Sequence, residues 1–161
     1  MTRRSLLQYA LGAAASTGAN GKLKEAARLI FARINELRVL RGAPEMHWSE
    51  PIAECAREQS ERKRMLRFPG HDDPARGGVA ERLNAAGIGW QRCAENLFMM
   101  NGYDDPVNFA VVFWWYSSGH QANILEQVFT HTGVGVTEGA DGAYFVTQIF
   151  IEARVPGIRV R

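Results

Sequence analysis

From Lys22 to Arg41 apolar residues return every three or four positions. Leu23, Ala26, Ala27, Ile30, Ile34 and Leu37 fall on one face, which predicts an amphipathic helix. Gly42 ends it and Pro44 prevents its return. Ser49 is placed to cap a second helix, with Pro51 in its first turn. That helix is expected to run to about Phe68, its outer face carrying Arg57, Glu58, Glu61, Arg62 and Lys63. Pro69-Gly70 stops it immediately before His71. A short helix is expected from Val79 to Ala86, stopped by Gly87, then an extended piece within Trp90 to Leu97. Asp104 or Asp105 starts a helix that is apolar nearly all round, through Val107, Phe109, Ala110, Val111, Val112, Phe113, Trp114 and Trp115. Such a helix is expected to be central to the core.

The last third changes period. Thr132 to Thr137 and Tyr144 to Ile151 read as strands, and Ala140-Asp141-Gly142 supplies turn chemistry between them. Helices first and an antiparallel hairpin last predict an α+β fold rather than alternating βαβ units.

Apolar residues make up 46% of the 161 and charged residues 22%, enough to bury a core in one domain. The net charge is +2, but without Arg3 and Arg4 basic and acidic residues are equal at 17 each. That balance argues against a nucleic-acid binder, which needs a basic face. Residues 1–19 read as a twin-arginine-type export segment. Arg3-Arg4 precede Leu6-Leu7, a modestly apolar stretch runs from Tyr9 to Ala15, and small residues end at Ala19. The apolar run is too short for a transmembrane anchor, which takes about 20 residues. A periplasmic or extracellular destination follows, and a monomer is expected. The single domain spans 22–153, with a tail at 154–161. In an exported chain, Cys55 and Cys93 either form one disulfide or remain two buried thiols.

There is no Walker loop, no Gly-x-Ser-x-Gly elbow and no His-Glu-x-x-His. What remains is His71, Glu95 and His120, each at an element boundary, where a scaffold presents polar groups. Two imidazoles and a carboxylate suit zinc or another divalent cation, with water completing the shell. Ser117, three residues before His120, is expected at the rim of the same cleft, contributing at most a hydrogen bond. A Ser–His–Glu hydrolase is set aside, because nothing marks a strained nucleophile elbow or an oxyanion loop.

These pieces occur in a familiar order. Asn35-Glu36-Leu37-Arg38, Gly42-Ala43-Pro44, Trp48, Phe68-Pro69-Gly70-His71, Ala94-Glu95-Asn96-Leu97, Trp114 through Leu125, Gly133 to Val136 and Thr147 to Phe150 succeed one another. From about Ala27 to Phe150 the chain resembles the CAP superfamily of cysteine-rich secretory proteins, antigen 5 and pathogenesis-related 1, and looks most like its short bacterial members. The resemblance implies an α-β-α sandwich with a small antiparallel sheet between helical layers. It also implies a cleft built around two His and two Glu. His71, His120 and Glu95 match three of these positions, and Ser117 stands where many eukaryotic members have the second Glu. Ala94 replaces the motif's usual Gly, and Gln121 a common Arg.

Two functions are carried forward. The first is an exported binding module for a small ligand, lipid or envelope component, its cleft also suited to a divalent ion. The second is a metal-dependent hydrolase of envelope or extracellular polymers, for which no general base is evident besides Glu95.

Overall fold

The computed structural model describes residues 3–102 and 104–154. Met1 and Thr2 of the expected export segment, and all of the expected tail beyond Arg154, lie outside the described residues. The elements in order are α1 (Arg3–Leu40), β1 (His47–Trp48), α2 (Glu50–Leu66), α3 (Val79–Ala85), β2 (Trp90–Met100), α4 (Pro106–Tyr116), α5 (Ser118–Leu125), β3 (His131–Glu138) and β4 (Tyr144–Ala153). The sheet order is β1-β3-β4-β2. β3 and β4 form the expected antiparallel hairpin, and β2 pairs antiparallel to β4 along its length. The two-residue β1 runs parallel to β3, so the sheet is mixed rather than purely antiparallel. A strand this short has too few residues for period-two alternation to show in sequence.

Helices cover both faces of the sheet. Strand alternation divides the side chains of β3 and β4 between the two layers. Val134, Val136, Val146 and Phe150 join Ile30 and Ile34 of α1, Val107, Ala110, Val111 and Trp114 of α4, and Ile124 of α5. Ile149 and Ile151 face the other way, onto Ile52, Cys55 and Ala56 of α2 and Leu83 of α3. On that second face β3 carries Gly133 and Gly135. A Cβ at Gly135 would lie 2.1 Å from the backbone nitrogen of Arg57, so only glycine lets α2 rest directly on the strand.

Cys55 and Cys93 are both free thiols. Cys55 is buried in the smaller core and Cys93 packs at its margin. The bridge is not formed, and both residues serve as apolar filling. α4 also departs from expectation. Its N-terminus is capped by Asp105, whose carboxylate accepts from Asn108 N–H. It lies in an outer layer, however, with Val107, Ala110, Val111 and Trp114 buried and Phe109, Val112, Phe113 and Tyr116 exposed. One sheet face can cover only one stripe of a helix, and the second apolar stripe is left at the surface.

Candidate functional site

β2 is an edge strand, and two adjacent residues on it serve opposite layers. Glu95 stands opposite Ile149 and points to the α2–α3 side. Asn96 stands opposite Gln148 and points to the α4–α5 side, where its amide donates to the His120 carbonyl at 3.2 Å and accepts from Asn123 at 2.9 Å. A one-residue step along a strand therefore fixes one group in each layer.

On the first side, Glu95 Oε1 accepts from His71 Nδ1 at 3.0 Å. Its other oxygen pairs with Arg82, whose side chain is fully buried. Arg82 also donates to the carbonyls of His71 (3.0 Å) and Gly77 (2.9 Å). Gln59 donates a second bond to the His71 carbonyl, at 3.0 Å. Below this, Asp73 accepts from Nε and Nη2 of Arg62 and from the backbone N–H groups of Ala75 and Arg76. Arg62 beside it holds the Asp73 carboxyl far below the usual carboxylate range. The loop carrying His71 is thus fixed by buried charge. Half of the His71 side chain remains exposed.

On the second side, α4 ends at Tyr116, and Ser117 caps both α4 and α5. His120 is therefore the third residue of α5. Its Nδ1 lies 2.8 Å from Ser117 Oγ, and its ring packs on Phe113 with centroids 5.6 Å apart. Burial first, and then the charge of His71, hold the His120 imidazole below its ordinary pKa. The far end of α5 is tied down by Arg38, also fully buried, which donates to the carbonyls of Pro44, Ile124, Glu126 and Phe129. A cation at a helix C-terminus satisfies orphan carbonyls and complements the dipole.

Beside His71 opens a cleft of about 500 Å³, lined by Phe68, Leu97, Phe98, Met99, Phe113 and Phe145 and bordered by Lys63, Arg67 and His71. Lys63 Nζ donates to the carbonyls of Phe68 (3.1 Å) and Gly70 (2.6 Å), and burial lowers its pKa. Arg67 lies over the Phe145 ring and pairs with Asp141 at 2.7 Å.

The four residues singled out from sequence thus fall into two hydrogen-bonded pairs, His71–Glu95 and His120–Ser117. Each imidazole has its Nδ1 engaged, which leaves Nε2 as the free donor atom. Glu95 holds His71 in the manner of a carboxylate that orients a ligand, and Arg82 occupies its second oxygen. Catalytic zinc usually takes three protein ligands. Among the described residues no group of three or more His, Cys, Asp or Glu is placed to hold a metal ion. The donor set therefore does not fit a resident three-ligand zinc. Sequence reasoning missed Arg82 and Asn96. A charged residue in a seven-residue helix gives no periodic signal that its head group is buried.

Residues 31–150 match the Cysteine-rich secretory protein family, CAP. An uncharacterized membrane protein of Bacillus subtilis, YlbC, is 34% identical over 118 residues, which is 73% of this chain and 32% of that protein. A crystal structure of an extracellular SCP-domain protein from Bacillus anthracis is similar at 29% identity and a TM-score of 0.69, covering 80% of this chain and 40% of that one. This chain thus spans less than half the length of both. The crystal structure of NaASP2 with Zn2+ shares the fold at 15% identity and a TM-score of 0.50, over 84% of this chain and 80% of that one. Among the described residues no helix is long and apolar enough to cross a membrane.

Proposed function

Because this chain belongs to the cysteine-rich secretory protein family, we propose that it is an extracellular binding module whose cleft takes a small amphiphile, an apolar body with an acidic head group. The composition of the cleft carries the reading. Four phenylalanines, a leucine and a methionine line a volume of about 500 Å³, while the bordering polar side chains are Lys63, Arg67 and His71. That volume and lining suit a small-molecule site, in which a few polar groups fix orientation. Lys63 uses two of its three N–H donors on backbone carbonyls. Its ammonium also lies over the Phe68 ring, 4.2 Å from the centroid, and the third donor can turn from that ring to a carboxylate or phosphate. The nearby Glu95 does not oppose an anion, because Arg82 and His71 engage both its oxygens. The same engagement weakens the hydrolase alternative, which needs Glu95 free as a general base. The two free Nε2 atoms suit at most an exchangeable divalent ion, with water as the remaining ligands. Export to the periplasm or beyond, through the segment 1–19, belongs to the same proposal.

Titration calorimetry with dodecanoate and dodecanol tests it. Dodecanoate is expected to bind more tightly than dodecanol. Lys63→Gln should weaken dodecanoate roughly 10–100-fold, the worth of one charge-assisted hydrogen bond, and leave dodecanol unchanged. Phe113→Ala should weaken both. Equal binding of the two ligands, or no effect of Lys63→Gln, would refute the acidic-head assignment. No binding of either would remove the amphiphile reading.

A further inference from the structure

We propose that His47 and His131, far along the sheet from the cleft residues of β2, form a two-imidazole site for a divalent transition-metal ion. The pairing of β1 with β3 creates it. The two strands run parallel, and His47 stands in direct register with His131. Register partners project their side chains to the same face. The ring centroids are 5.4 Å apart, with planes inclined at 49°. Two imidazoles bound to one tetrahedral ion at about 2.0–2.1 Å place their ring centres roughly 5.2 Å apart. The observed spacing therefore admits a shared ion with only small side-chain adjustment.

The second observation is the partner of His131. Its Nδ1 lies 2.9 Å from Thr130 Oγ1. That hydroxyl has Ile151 O as an acceptor at 3.5 Å, and it also accepts from Ala153 N–H at 3.1 Å. When that hydroxyl donates to Ile151 O it can accept from His131 Nδ1–H, and this tautomer carries the lone pair on Nε2. Histidines that ligate metals are held this way, through the nitrogen that does not bind. His47 is exposed, so the ion is reached from solvent, and its remaining positions are filled by water. Neither ring is in an ion pair among the described residues. Two imidazoles with water suit Zn2+, Ni2+ and Cu2+, with Cu2+ bound most tightly by the general affinity order. Mg2+ and Ca2+, which take oxygen ligands, are excluded. An ion here clips the two-residue β1 to the sheet.

The test is Zn2+ titration of the full chain by calorimetry, with imidazole resonances followed by NMR. Wild-type protein and the His71→Ala/His120→Ala variant should both bind one equivalent at the edge site. His47→Ala and His131→Ala, each placed in that double variant, should weaken binding by at least about tenfold. The exposed position of His47 makes His47→Ala safe for folding, and unchanged circular dichroism verifies it. Zn2+ should shift the His47 and His131 ring signals together. The proposal is overturned if the His71→Ala/His120→Ala variant no longer binds Zn2+, if His47→Ala leaves its binding unaltered, or if wild-type protein takes up no ion. Because its readout is independent of the cleft ligand, failure here leaves the amphiphile reading standing.

Discussion

Replacing Arg82 by methionine should destabilise the protein more than replacing Arg82 and Glu95 together by apolar residues. The side chains of both are buried, Arg82 fully and Glu95 to within 1%. Arg82→Met keeps the volume but leaves the Glu95 carboxylate in the interior with only the half-exposed His71 as partner. Breaking a buried ion pair from one side costs about 3–5 kcal/mol. Arg82 also leaves two carbonyls, but each keeps another donor, His71 O that of Gln59 and Gly77 O that of the Asp73 N–H. With no carbonyl orphaned, the single variant should lose about 3–5 kcal/mol. Domains of this size hold about 5–15 kcal/mol in all, and the melting temperature should fall by roughly 10–20 °C. In Arg82→Met/Glu95→Leu no charge is left unpaired, and stability should recover to within about 2 kcal/mol of wild type. Urea unfolding followed by tryptophan fluorescence measures both, with Trp114 buried in the larger core as the reporter. A single-variant loss below about 1 kcal/mol, or a double variant as unstable as the sum of its singles, would refute the assignment of Arg82 as the buried counter-ion of the site.

Gly135→Ala should cost about 3 kcal/mol or more, because the new Cβ meets helix backbone at Arg57, whereas Gly119→Ala, with nothing within 4 Å, should change little. Equal stability of the two variants in denaturant would show that α2 does not lie on β3 as described. Stability should also fall on acidification below about pH 6.5. Burial first and the neighbouring imidazole second hold His120 and His131 below 6.5 in the fold, so the unfolded chain binds the proton first and stability rises with pH between the folded and unfolded values. His120→Gln/His131→Gln should flatten that slope in pH-dependent urea titrations, and an unchanged slope would assign the effect elsewhere.

Much of the fold was legible because burial is periodic. The α1 stripe delivered Ala27, Ile30 and Ile34 to the core, and the hairpin of β3 and β4 formed about the Ala140-Asp141-Gly142 turn. The pairings within the site were less legible. Pro69-Gly70 marked where His71 would stand, but not that Arg82, eleven residues on, would grip its carbonyl. Buried arginines look like surface arginines in sequence, since their burial depends on carbonyls brought from distant segments. Arg38, for instance, meets carbonyls 86 to 91 residues away. The orientation of α4 was hidden for the opposite reason. With apolar residues on every side, its sequence does not say which stripe is covered. Ser49 shows a third limit, for it occupies the N-cap of α2 without a side-chain cap bond.

The unequal size of the two helical layers has a dynamic consequence. His120 rides on α5, anchored through Ile124 and Arg38 to the larger core. His71 depends on a loop and a seven-residue helix that contributes Leu83 alone to the buried residues of the smaller core. Segments with little apolar burial open first, well before the global transition. Opening of 70–85 withdraws Arg82, frees the Glu95 carboxylate and removes His71, while the part of the cleft that holds Phe98 and Phe113, and His120 behind Phe113, stay folded. A molecule seated against His71, Phe98 and Phe113 touches both halves. Occupancy would therefore register as slowed amide exchange in 70–85, a segment that mostly does not touch the molecule at all.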